Sequence, residues 1–130
     1  YTTTDDLDPE YQDLIVSSLQ GKPRNVYAAI GNNPAVLKGL RQFFGSLWSD
    51  SGLTDRQREL VILTAASEFG SAYEWHQHVT IALGVGIEVE EIDAIGRDDR
   101  SPFSSTEAAL ISYARAVARG RVEDPHHIAI

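Results

Sequence analysis

Hydrophobic residues recur along this chain at helical intervals, and no segment alternates apolar and polar positions as a half-buried strand does. Tyr11, Leu14, Ile15 and Leu19 predict a short amphipathic helix over 9–19, and a further turn or two follows over 26–30. Asn33-Pro34, a cap followed by proline in the first turn, opens a helix to about residue 48. Its apolar set, Val36, Leu37, Leu40, Phe43, Phe44 and Leu47, falls on one stripe. Thr54 and Gln57 form a capping box for a helix over 55–69 that Gly70 ends. The middle of that helix, Leu60 to Ala66, is apolar on all sides, so it is buried all round or covered on one side by a partner chain. A second helix covers 72–85, with Gly84 and Gly86 marking its exit, and a short acidic one covers 88–95 with Val89, Ile92 and Ile95 inward. After a charged loop over 96–102, Ser104 and Glu107 cap a final helix that Gly120 closes. Asp124-Pro125 then reads as the opening turn of another helix, so the domain is expected to be truncated at its C-terminus.

The expected fold class is all-α: one compact multi-helix domain over 1–130. Its centre is an antiparallel pair, 55–69 and 72–85, joined by the short Gly70-Ser71 connection. A net charge of -8 opposes binding to nucleic acid and to anionic membrane surfaces. No apolar run is long enough for a transmembrane helix, and no signal peptide is evident, so the cytoplasm is the default location. The chain has no cysteine, which removes disulfides, zinc thiolates and thiol redox chemistry.

The chemistry concentrates on the second helix of the central pair. At about 100° per residue, Ser71, Glu74, Trp75, His78, Val79, Ile81, Ala82 and Val85 share one face. Tyr73, His76, Gln77 and Thr80 share the other. Glu74 and His78 are thus one turn apart on an apolar stripe, where a carboxylate and an imidazole are costly unless paired or set in a pocket. The carboxylate favours the protonated ring and burial disfavours it, a competition that suits a histidine to acid–base work near neutrality. The plainer alternative is an i, i+4 ion pair at the rim of the core. Glu59 shares a helical side with Ile62, Leu63 and Ala66 and so points toward buried surface; its plainer alternative is a first-turn acid favoured by the helix dipole. Glu68 and Arg58 are weaker candidates, and His126 and His127 lie at a frayed end.

Three stretches together resemble the carboxymuconolactone decarboxylase family, which is related to alkylhydroperoxidase D-like proteins. They are Leu53-Thr54-Asp55-Arg56-Gln57-Arg58-Glu59-Leu60-Val61-Ile62-Leu63, Ser71-Ala72-Tyr73-Glu74-Trp75-His76-Gln77-His78, and Ile81-Ala82-Leu83-Gly84-Val85-Gly86. The peroxidase branch carries a glutamate, a Cys-x-x-Cys and a following histidine. That frame lands on Glu59, Ser71, Glu74 and His78, so the acid and the imidazole match while both cysteines are replaced. Without a thiolate, thiol peroxidase chemistry is lost. The decarboxylase branch, by resemblance, works without cysteine, cofactor or metal. It implies His78 as general acid, oriented by Glu74 or Glu59, with Ser71 and Trp75 lining the substrate pocket.

Three readings remain at this level. One is a cofactor-free lyase-type enzyme acting on a small organic acid or lactone. Another is a non-catalytic oligomeric scaffold in which Glu59, Glu74 and His78 are structural. The last is a Glu/Glu/His metal site, although i and i+2 positions such as His76 and His78 diverge on a helix. The all-apolar segment needs more cover than a few short helices supply, and the resemblance implies trimers and hexamers with sites near subunit interfaces. The expected outcome is a homo-oligomer, a trimer or hexamer, by sedimentation velocity at micromolar protein and about 0.15 M salt, where self-repulsion is screened. A stable monomer under those conditions overturns it.

Overall fold

The computed structural model describes residues 1–16 and 24–122, and the described residues contain helices and no strand. The fold is all-α. The residues Asp124, Pro125, His126 and His127 lie outside the described residues, as does the end of the helix expected over 9–19. The chain divides into two compact units, Tyr1–Gly52 and Leu53–Ile130.

The first unit contains two 3₁₀ helices, Thr4–Asp6 and Pro9–Ile15, followed by α1 (Asn25–Ile30) and α2 (Pro34–Asp50). The 9–15 segment is 3₁₀ where an α-helix is expected. It is seven residues long and opens on Pro9 without a side-chain cap bond, and the tighter 3₁₀ form is one that short segments take. Leu7, Ile15 and Leu37 form the small core, with Tyr11, Leu14, Tyr27 and Ile30 against it. Asn33 caps α2 by accepting from the Val36 amide. The expected inward stripe of α2 is only partly realised: Leu37 is buried, whereas Val36, Phe43 and Leu47 are exposed. The short elements of this unit cover the first turns of α2, and helical periodicity cannot say how far along a helix its cover extends.

The second unit contains α3 (Asp55–Phe69), α4 (Ala72–Gly84), α5 (Val89–Gly96) and α6 (Ser105–Ala118). The capping boxes expected at Thr54 and Ser104 both form, and a third, Glu88 with Glu91, opens α5. Gly70 ends α3 at φ 62°, a left-handed conformation that residues with a side chain adopt at a cost. The Ser71 amide then bonds back to the Ala66 carbonyl. Glu59 in α3 meets His78 at the middle of α4, across the short Gly70-Ser71 connection, so the chain folds back on itself and the two helices run antiparallel. α3 also packs against α5 and α6. Leu60, Leu63, Ala82, Ile87, Ile92, Ile95, Phe103 and Ile111 form the core between them. Thr64, the one polar residue in the apolar run, is buried and donates its hydroxyl to the Leu60 carbonyl one turn back.

Two arginine clusters fasten the charged ends of α3. Near its start, Arg56 donates to Glu107 of α6 at 2.7 Å, to Glu91 of α5 at 3.1 Å and to the Gly86 carbonyl at 2.8 Å. Near its end, Glu68 accepts from Arg115 and Arg119 of α6. Arg115 also donates to the Ile95 carbonyl at 2.9 Å, and its Nε stands 3.0 Å from Asp98 Oδ1 without hydrogen-bond alignment. Asp98 occupies the left-handed region at φ 61°, which aspartate tolerates better than most residues, and its carboxylate also pairs with Arg100 at 2.7 Å.

The hydrogen bonds from Arg56 hold the Glu91 and Glu107 carboxyls below their ordinary range against the opposing effect of burial, and both carboxylates hold the Arg56 guanidinium protonated above its own. A carboxyl that titrates lower in the folded than in the unfolded protein contributes stability above its unfolded value. That contribution is lost as pH falls through the folded value. Arg56→Met is expected to destabilise the protein by about 2 kcal/mol at neutral pH in urea denaturation. The difference from the parent should shrink as pH falls below 4.5, the ordinary glutamate value, because the parent then loses the same interaction. A gap independent of pH would show that Arg56 acts through packing alone.

Candidate acid–base site

Glu59 is 1% exposed. It sits one turn into α3, one residue before Leu60 on the side that faces the core, and a carboxylate there needs a partner close at hand. That partner is His78 of α4, whose Nδ1 lies 2.7 Å from Glu59 Oε2. The contact needs a register in which the two helices are held at fixed depth. Gly70 with the Ala66–Ser71 bond sets one end of that register, and Ala82, fully buried against the core, sets the other.

The other nitrogen of the ring faces a different environment. His78 Nε2 stands 3.7 Å from Glu74 Oε2, beyond direct hydrogen-bond length and within the reach of a small adjustment or a bridging water. The Glu74 side chain is 48% exposed and that of His78 13% exposed. The imidazole therefore has one end tied to a buried carboxylate and the other bordered by a half-exposed one. Because an ionised carboxylate only accepts, the tight contact places a proton on Nδ1 and leaves Nε2 free to give or take one. Glu59 thus orients the ring in the manner of a carboxylate behind a catalytic or metal-bound imidazole.

All three residues singled out on the sequence as the acid–base set, Glu59, Glu74 and His78, come together here. They are unequal partners, which the sequence did not distinguish. Ser71 caps α4, its hydroxyl accepting from the Glu74 amide at 3.5 Å. Trp75 is half-buried against the hydrophobic core, with Gly96 beside its ring. Tyr73 and His76 lie exposed on the outer side of α4. Glu68 and Arg58, the weaker candidates, pair instead with Arg115 and Arg119 and with Asp55. Among the described residues no group of three or more histidine, aspartate and glutamate side chains is arranged to hold a metal ion. No helix of the described residues is long and apolar enough to cross a membrane.

The residues that sequence reasoning missed are those that hold α3 in place behind Glu59, above all Arg56 with Glu91 and Glu107. The available signal was the pair of capping-box acids, Glu91 and Glu107, each placed beside a helix start and so fixed in direction.

A family model described as the carboxymuconolactone decarboxylase family matches residues 34–120. No curated protein and no solved structure matches the chain.

Neutral His78 is expected to be the Nδ1–H tautomer, with a pyrrole-type Nδ1 and a pyridine-type Nε2 in long-range ¹H–¹⁵N spectra. Glu59→Leu should abolish that preference, and a neutral ring protonated on Nε2 in the parent protein would contradict the assigned contact.

Proposed function

Because the chain belongs to the carboxymuconolactone decarboxylase family, we propose that it is a cofactor-free enzyme that moves protons at carbon in a small organic acid or lactone. The chain carries no cysteine, so the thiol route of the related peroxidases is not open to it. His78 is the general acid–base, acting through Nε2, and Glu59 is the carboxylate that orients it. The observation that carries this reading is the asymmetry of the imidazole: Nδ1 is held at 2.7 Å by a carboxylate 1% exposed, while Nε2 is turned to the side where Glu74 meets solvent.

Such an arrangement suits a reaction through an enolate-like carbanion. In a decarboxylation the C–C bond to the carboxylate breaks and CO2 leaves with its electron pair left on carbon. Nε2–H then protonates that carbon, and the ring regains a proton from water. In a proton transfer the Nε2 lone pair removes the proton from carbon next to a carbonyl and returns it at another position. In both, the Nδ1–H bond to Glu59 persists and keeps the ring from turning as its charge changes. The alternative is a non-catalytic scaffold in which Glu59, Glu74 and His78 form a structural cluster.

An activity screen over lactones, β-oxo acids and peroxides is the direct test. His78→Gln is expected to lower kcat by about 10²- to 10⁴-fold, the usual contribution of a positioned acid–base group. Glu59→Gln should lower kcat with little change in KM, because it removes orientation without altering the open end. Unchanged turnover in His78→Gln would overturn the proposal.

A further inference from the structure

Two substrate classes suit proton transfer at His78, a free organic acid and an uncharged lactone or ester, and Glu74 separates them. The open end of the imidazole is bordered by the Glu74 carboxylate at 3.7 Å, and the opposite end by Glu59 at 2.7 Å. Two carboxylates against one imidazole leave the trio anionic whether or not the ring carries its second proton. Among the described residues, the ion pairs of Glu59, Glu74 and His78 are only with one another. Nearby guanidinium groups are committed to other acids: Arg56 to Glu91 and Glu107, Arg58 to Asp55, and Arg115 and Arg119 to Glu68. The chain's net charge of -8 adds a diffuse field of the same sign.

An anionic group brought to Nε2 therefore meets a like charge at contact distance, with part of the surrounding water displaced, which strengthens the repulsion. An uncharged carbonyl meets no such opposition and can accept from Nε2–H. We propose that Glu74 is the specificity-determining residue of this site, admitting a substrate that is uncharged at its reacting end, a lactone, ester or ketone, and rejecting a carboxylate there. This rests on His78 being the reacting group, as proposed above, and narrows that reading to proton transfer in an uncharged substrate, because decarboxylation would bring a carboxylate to the reacting carbon.

The test is binding, so that it stands apart from turnover. The probes are cyclopentanecarboxylate and its primary amide, each with a single polar end, which match in shape and differ in charge. The readout is the His78 ring signal in ¹H–¹³C spectra, assigned by its absence in His78→Gln. The amide is expected to move that signal at concentrations about tenfold or more below those the carboxylate needs. The gap should narrow as salt is raised, because the half-exposed Glu74 is open to screening. In Glu74→Gln the two probes should converge, whereas a purely steric role for Glu74 would leave the gap and its salt dependence in place. Equal binding of both probes to the parent, tighter binding of the carboxylate, an unchanged gap in Glu74→Gln, or no movement of the ring by either probe overturns the inference. Loss of activity in His78→Gln speaks only to the acid–base role, so either idea can fail while the other stands.

Discussion

Leu60, Leu63 and Ala66 must be buried on the same helix that carries Arg56, Glu59 and Glu68, and the second unit is arranged around that conflict. Apolar burial alone would be met by many packings of α3 against its neighbours. Charged groups near both ends and in the first turns narrow the choice, because each needs a partner at a fixed distance once water is removed. α4, α5 and α6 each supply apolar cover, and each also supplies a polar partner: His78 from α4, Glu91 from α5, and Glu107, Arg115 and Arg119 from α6. The helix is thus held in both rotation and depth, which apolar contact by itself does poorly.

The candidate site is a by-product of that arrangement. Glu59 is buried because α3 is buried, and its carboxyl has a partner because α4 presents an imidazole opposite it. A carboxylate enclosed in this way cannot turn toward solvent when the ring changes charge, so it can serve as a fixed point for the imidazole. Glu74, one turn earlier on α4, belongs to the same face but to its wet margin, so two glutamates on one histidine stand in two different surroundings. Ser71 and Glu74, the positions on which the resemblance places the two cysteines of the peroxidase frame, differ in their surroundings. Ser71 caps α4, whereas Glu74 sets a carboxylate 3.7 Å from Nε2 of His78.

Local signals in the sequence were enough for the helices of the second unit and their limits. Capping boxes at Thr54 and Ser104, and Gly70 as a left-handed stop, act within a few residues of themselves and do not depend on what lies across the core. The same locality made the phase of α4 legible, and with it the company of Glu74 and His78 and the separation of His76. The 3₁₀ form of residues 9–15 and the exposure of Phe43 and Leu47 on α2 escaped it, since helix type in a short segment and cover along a long one are both settled by neighbours.

Only the tertiary structure decided which carboxylate holds the imidazole. Glu74 at i, i+4 was the nearer partner along the chain, and Glu59, on another helix, is the nearer in space by an ångström. The reason is burial. An exposed acid on the same helix has water as a competing partner and keeps its distance, while an enclosed acid has no partner but the ring, and the register that encloses it is fixed by arginine contacts to α5 and α6, elements far from α3 along the chain. What the sequence by itself determined is which residues could form the site; the packing of α3 determined which nitrogen of His78 is held by Glu59 and which lies beside Glu74.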